Sequence, residues 1–326
     1  MSMEKFSLDA FERYPMVRCR PQETEAENTD QFVFHTCVQP QEECSGSALI
    51  EVRGENLADV HAYGASGQFL GFTVKEGEGD EKLFEAAVQA FSGKRYFVPV
   101  RDSRQVKWAM ETGTMGGLLV DVGSSPYDAC ECMARQGLQR MYRKMPVLVR
   151  GGCGEKGEDF ARQWHASRVE NLSGSCAGWR IALRRLTYPK AVTSDGYVPM
   201  RFWWTNRGPA PMHEPARVKI RLSMNEKKIP LSLSDSPLQI PLGDRTYNEI
   251  VRLPDLPSGA YLLEFGLFQE DNTAVSLCHT GCTADGWYPA GEMMVDTIPR
   301  PEYEQIWDDY YADGYYPLVD PPVPGT

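Results

Sequence analysis

The feature that most restricts how this chain can fold is a change of rhythm near residue 170. Between residues 31 and 170, short apolar runs alternate with amphipathic stretches, one pair about every 25 to 30 residues. After Asn171 the amphipathic stretches stop, and short β-type segments follow one another between proline, glycine, asparagine and aspartate. Strand-then-helix units of the first kind join parallel strands through right-handed crossovers. Short strands between turn residues make antiparallel sheets. The chain therefore reads as α/β plus all-β, with the join near residues 168–176.

In the first part, FVFHTCV (32–38), SALIEVRG (47–54), QFLGFTV (68–74), KRYFVPV (94–100), GGLLVDVG (116–123) and MPVLVRGG (145–152) predict strands. Helices are predicted over 79–93, 102–113, 124–144 and 155–167, with a short one in 55–67. In the first of these Leu83, Phe84, Ala87, Val88 and Phe91 share a face, acidic residues come early and Gly93 lies just past the end. An abridged (β/α) TIM-barrel-like domain over 31–170 is the expected architecture, with an open doubly wound sheet as the alternative. About 250 residues is typical of a complete barrel and only about 135 are at hand.

From WRIALRRLTYP (179–189) to WYPAGEMMV (287–295) the segments alternate, most visibly in Arg217-Val218-Lys219-Ile220-Arg221-Leu222. That pattern predicts an antiparallel β-sandwich over 171–298, wet on one face and dry on the other. Asp285-Gly286 predicts a tight turn, with Trp287 and Tyr288 opening the last strand on opposite faces. Residues 1–30 read as a polar N-terminal arm, and 299–326 as an acidic, aromatic, Pro-rich tail.

A net charge of -11 in 326 residues argues against nucleic acid or an anionic membrane as partner. No apolar run approaches the roughly 18 residues of a membrane span. The polar N-terminus lacks the apolar core of a signal peptide, so a cytoplasmic location is expected. Nine cysteines, an odd number in irregular spacing, predict reduced thiols. Cys130-Glu-Cys132 and Cys278-x3-Cys282 lack a second ligand pair, so no metal is expected. GGLLVDVG is no dinucleotide fingerprint and RGGCGEKG lacks the P-loop ending, so no cofactor is expected either. Serine-hydrolase, zincin and CxxC patterns are absent from the sequence. Cys153, in a glycine-rich turn, has no His partner fixed by the pattern.

In the second part GWRIALRRLTYPKAV, FWWTNRGPAP, LPDLPSGAYLLEFGL and GCTADGWYPAGEMMV occur in that order. These segments resemble the DUF4832 family, through Asn206-x-Gly208-x-Ala210-Pro211, Leu256-Pro257-Ser258-Gly259-x-Tyr261 and Asp285-Gly286-Trp287-Tyr288. The likeness reaches more loosely into GLLVDVGSSP, PVLVRGG and ARQWHASRVENL. It implies a glycoside-hydrolase-like barrel followed by a β-sandwich, and a carbohydrate-related protein.

In a parallel barrel functional side chains gather where strands end. Those ends give His35, Glu51 with Arg53, Arg101 with Asp102, Asp121 and Arg150. Glu51 and Asp121 are the candidate catalytic pair, since glycosidases need two carboxyl groups across the scissile bond. His35, Arg53, Arg101, Asp102 and Arg150 are candidate ligand contacts, and Trp204 is a candidate sugar platform. Some have a structural alternative: Asp121 a helix cap, Arg101-Asp102 a loop salt bridge and N-cap, Trp204 a core residue. His165, on a helix, reads as packed. Three readings stay open: a glycan-binding protein with weak or absent hydrolysis, an active glycoside hydrolase, and a scaffold. The partners these imply are an oligosaccharide or other polyhydroxylated or anionic ligand, a protein contacting the C-terminal tail, and a second copy in a homodimer.

Overall fold

The computed structural model describes residues 16–19, 21–23, 33–36, 48–54, 69–123, 125–151, 154–173, 176–233, 240 and 242–299, with backbone alone at 16–19 and 33–36. The predicted helix in 55–67, Cys153 and the tail lie outside them. Two compact units divide the chain. One comprises Glu27–Trp179 and Arg207–His213, the other Met1–Ala26, Arg180–Asn206 and Glu214–Thr326. The division falls between Trp179 and Arg180, and one later loop returns to the first unit.

Strand β1, Met16–Cys19, belongs to the second unit, where it pairs with β9, Ile181–Pro189. The first unit is built on a seven-stranded parallel sheet: β2 Val33–Thr36, β3 Ala48–Val52, β4 Gly71–Val74, β5 Tyr96–Pro99, β6 Met115–Asp121, β7 Val147–Arg150 and β8 Arg168–Glu170. Spatial order equals chain order, so the sheet winds one way and curls as a half-barrel. A doubly wound sheet would reverse its order at a switch point, and the described strands show no such reversal. β8 was not predicted. Three residues are too few to show a period, and they lie inside the stretch taken as the join.

Among the described residues four helices lie between these strands. Helix α1, Glu81–Ala90, starts where Asp80 accepts a hydrogen bond from the Leu83 N–H (3.2 Å) and buries Leu83, Phe84 and Ala87. Helix α2, Ser103–Glu111, is capped by Asp102. Helix α3 runs only over Pro126–Arg135, and a single 3₁₀ turn follows at Met141–Arg143. The continuous helix predicted over 124–144 is broken at Gly137, whose φ of 69° and bond to the Ala134 carbonyl end it. The chain then turns back to bury Leu138. Helix α4 is Glu155–Gln163.

Strand alternation divides the core. Ala48, Ile50, Val98, Val120 and Val149 face the helices, within the large cluster that includes Phe84, Val106 and Met133. Leu49, Phe97, Leu119 and Leu148 form a separate cluster on the other face. There the Phe97 ring lies over two glycines of the flanking strands. A Cβ on Gly117 would come within 2.5 Å of the ring, and one on Gly71 within 2.7 Å.

The second unit holds two sheets. One has the order β1-β9-β11-β14, with β9 Ile181–Pro189, β11 Tyr197–Asn206 and β14 Gly243–Arg252. The other has the order β10-β16-β15-β12-β13, with β10 Ala191–Thr193, β12 Ala216–Met224, β13 Lys227–Leu231, β15 Gly259–Gln269 and β16 Tyr288–Asp296. Pairing is antiparallel except that β10 runs parallel to β16 at one edge, so the unit is not purely antiparallel as expected. Side chains of the two sheets meet. The Trp204 ring stands edge-on to Phe265 at 6.2 Å, and the Tyr188 hydroxyl donates to the Glu292 carbonyl at 3.4 Å.

The turn at Asp285-Gly286 carries a φ of 82° at Gly286, where a Cβ would collide with that of Ala274. Tyr288 is buried and stacks on Phe265. Trp287 is half-buried and lies over the Arg221 guanidinium at 4.3 Å.

Candidate active site

Parallel pairing puts side chains at the same height of neighbouring strands on the same face. Glu51 is registered with Thr73, Asp121 with Arg150, and Arg150 with Glu170. This row lies on the Leu49–Phe97 side of the sheet, at the strands' C-terminal ends. It forms the floor of a cavity of about 220 Å³ lined by Glu51, Thr73, Lys75, Glu76, Arg101, Asp121 and Arg150 among others. The two candidate carboxylates therefore share one pocket, with two of the candidate arginines.

Each carboxylate is engaged. Arg53 donates to Glu51 through Nε at 2.8 Å, and its terminal nitrogen lies 2.8 Å from the same oxygen. Asp121 accepts from the Gly123 N–H at 2.9 Å and lies 3.5 Å from Arg150 Nε. That nitrogen is also 3.4 Å from Glu170, so one guanidinium bridges the acids of both neighbouring strands. Arg101 differs. Its Nε is buried and makes no hydrogen bond, and it forms no ion pair among the described residues. The Arg101 Nη2 and Asp121 Oδ1 converge on Gly123, at 3.8 and 3.7 Å from where a Cβ would stand.

Two residues of the lining, Lys75 and Glu76, escaped the sequence reading. The rule that selected Glu51 and Asp121 selects them too when applied past the end of β4. Lys75 is paired with Glu78. The Glu76 carboxyl is pushed above its ordinary range by burial, and the charges of Asp121 and Asp102 add to the rise while Arg101 opposes it.

Asp102 is absent from the lining, and its carboxylate is structural. Oδ1 accepts from the N–H groups of Arg104 and Gln105, both at 3.1 Å, which caps α2. Oδ2 accepts from the Gly77 N–H and from Gln105 Nε2, both at 3.0 Å. Gln105 Nε2 also reaches the Lys75 carbonyl at 3.3 Å, and the Tyr96 hydroxyl donates to Gln105 Oε1 at 2.6 Å. Asp102, Gln105 and Tyr96 are all buried. This network clamps the loop that carries Glu76, so Asp102 positions a pocket residue rather than lining the pocket.

His35 lies on β2 in register with Ile50, and its side chain is outside the described set. Trp204 corrects an expectation. It is wholly buried, in the second unit, with its ring against Phe265, so no sugar can stack on it. Its neighbour Trp203 faces outward, half-buried, with the Arg184 and Arg185 guanidinium groups over it at 4.7 and 4.8 Å. His165 is held away from the pocket, its Nδ1 2.6 Å from the Pro209 carbonyl and its ring 3.8 Å from that of Tyr142. Among the described residues no group of three or more His, Cys, Asp or Glu is arranged to hold a metal. No described helix is long and apolar enough to cross a membrane.

No family model and no curated protein matches the sequence. Among solved structures, a Niemann-Pick type C2 protein from Japanese carpenter ant is 8% identical, with 32% of this chain and 79% of that one covered at a TM-score of 0.24. The CARDB domain of the PF1109 protein from Pyrococcus furiosus is 14% identical, with 36% and 91% covered at 0.23. A β-glucosidase from Listeria innocua is 8% identical, with 86% and 48% covered at 0.25, so this chain spans about half of that enzyme.

Proposed function

We propose that the chain is a DUF4832-type protein, a glycoside-hydrolase-like half-barrel joined to a β-sandwich, whose pocket binds a polyhydroxylated ligand with little or no hydrolysis. The observation that carries this reading is the common pocket of Glu51, Asp121, Arg101 and Arg150 at the C-terminal ends of a singly wound parallel sheet. Barrel sites lie at that end. Paired donors and acceptors around a small cavity suit hydroxyl groups, and 220 Å³ is below the roughly 300 to 1,000 Å³ of pockets for drug-sized ligands. A ligand of about one sugar unit fits that size.

Against turnover stands the engagement of both carboxylates by arginine, Glu51 with Arg53 and Asp121 with Arg150. Glycoside hydrolysis needs one carboxyl group to deliver a proton and the other to attack or to activate water. One observation favours the hydrolase reading. Glu76, in the same pocket as Asp121, has its pKa raised as a proton donor's would be. A panel of aryl glycosides and oligosaccharides separates the two. The expected result is saturable binding with no turnover above background, weakened by Glu51→Gln. Robust turnover lost in Glu76→Gln or Glu51→Gln would replace binding by catalysis, and the absence of any sugar binding would remove the carbohydrate reading.

A further inference from the structure

We propose that the pocket is selective for a sugar acid, a ligand carrying both hydroxyl groups and one carboxylate, with Arg101 receiving the carboxylate. The inference rests on the polyol-binding reading above and names the ligand class within it.

Charge balance comes first. Three cations, Lys75, Arg101 and Arg150, line the cavity, and so do three acids, Glu51, Glu76 and Asp121. Two of the cations are spent locally: Lys75 pairs with Glu78, and Arg150 bridges Asp121 and Glu170. Glu51 is matched by Arg53. That leaves Arg101 and Glu76. Arg101 has no ion pair among the described residues, and its Nε is buried without a hydrogen-bond partner. A buried guanidinium nitrogen with nothing to donate to shows that no acid holds Arg101 in place, and the terminal nitrogens of the same group remain to grip a ligand carboxylate through two parallel N–H···O bonds.

The state of Glu76 decides whether an anion is welcome. Counting the lining together with the partners just named, four cations (Arg53, Lys75, Arg101, Arg150) face five acids (Glu51, Glu76, Glu78, Asp121, Glu170), so the set carries one negative charge with Glu76 ionised and none with Glu76 protonated. Burial favours the protonated form, and so do the charges of Asp121 and Asp102. The other charged groups around it are Arg101, which opposes protonation, the Lys75–Glu78 pair of its own loop, and Glu51 and Arg150 across the cavity. A ligand carboxylate on Arg101 would screen the one charge that lowers the Glu76 pKa and add a second negative neighbour. Binding should therefore take up a proton from solvent onto Glu76, and should weaken as pH rises through the free-state pKa of Glu76. The Asp102–Gln105–Tyr96 clamp fixes the Glu76 loop, so this is a property of the folded site rather than of a mobile side chain.

The test is calorimetric titration of the full chain with glucuronate and galacturonate, against glucose and galactose. It is repeated in two buffers of different ionisation enthalpy, and an oligogalacturonide is added to separate a free acid from a residue within a chain. Uronates are expected to bind at least about tenfold more tightly than the neutral sugars. Losing a hydrogen bond to a charged group corresponds to roughly ten- to a hundredfold in affinity, so Arg101→Gln should erase that preference while Arg101→Lys restores part of it. Glu76→Gln, which mimics the protonated form, should keep uronate binding and abolish both proton uptake and pH dependence. Melting curves for each variant separate loss of binding from loss of fold. Neutral sugars binding as well as uronates, or a preference unchanged in folded Arg101→Gln, would overturn the sugar-acid proposal and leave polyol binding standing. Arg101-dependent binding of simple carboxylates such as acetate, with no sugar bound, would overturn the proposal together with the polyol reading.

Discussion

Arg221→Ala should destabilise the second unit by about 3 to 5 kcal/mol, the cost typical of leaving one partner of a buried ion pair alone. Arg221 and Glu264 face each other across β12 and β15, with side chains only 6% exposed. Nε donates to Oε2 at 2.7 Å and Nη2 to Oε1 at 2.9 Å, while the Ser223 hydroxyl also donates to the carboxylate. The third guanidinium nitrogen reaches Asp285 at 2.8 Å, and Trp287 covers the group. The same arginine thus holds the Asp285-Gly286 turn onto the sheet.

Replacing both partners, as Arg221→Met with Glu264→Leu, should recover most of the loss, because no unpaired charge remains. Urea unfolding followed by tryptophan fluorescence measures both. A loss under about 1 kcal/mol for Arg221→Ala would rank the pair with exposed salt bridges. The pH dependence has a definite sign. Arg221 bonds hold the Glu264 and Asp285 carboxyls below their ordinary ranges. Their contribution is therefore complete above the ordinary carboxylate pKa and is lost as pH falls through the lower folded-state values. Wild type and Arg221→Ala should accordingly converge in acid.

Phe97→Ala should cost the first unit about 3 to 5 kcal/mol, the usual range for deleting a buried phenylalanine ring. The ring is fully buried in a cluster of only four buried residues, so few neighbours can relax into the space. The reciprocal change is expected to fail for the opposite reason. In Gly117→Ala the new methyl would overlap the Phe97 ring at 2.5 Å and press on the Pro146 carbonyl at 3.0 Å, an overpacking worth about 1 to 3 kcal/mol. Combining Gly117→Ala with Phe97→Leu should be less damaging than the sum of the two single changes, because contacting residues do not add. Strict additivity in thermal and denaturant melts would mean that the ring does not occupy the space over Gly117. Since the Phe97 layer lies directly beneath the Glu51–Asp121 row, Phe97→Ala should also loosen the pocket floor and weaken any ligand.

Much of the local structure was legible because local rules govern it. Asp102 is a cap recognisable by type and position, and the α1 face of Leu83, Phe84 and Ala87 follows from a 3.6-residue period. Short apolar runs marked β3, β6 and β7, so Glu51, Asp121 and Arg150 could be named as strand-end groups. The misses have physical causes as well. Glu76 and Lys75 sit two and one residues beyond a strand, where no period operates. β8 is too short to display one. Trp203 and Trp204 must point opposite ways, but nothing in RFWWTN says which of them meets Phe265.

The sequence by itself determined the two classes of structure, the strand-helix rhythm with its caps and the β-only second part, because hydrophobic period, capping and turn chemistry act over a few residues. Tertiary structure alone decided the pocket. Which strands stand side by side, and in what register, brings Asp121, Arg150 and Glu170 into one charged row and leaves Arg101 with no ion pair among the described residues. Ion pairing and burial act over a few ångströms between residues that stand up to about 120 positions apart in the chain, from Glu51 to Glu170, a separation that no local pattern encodes.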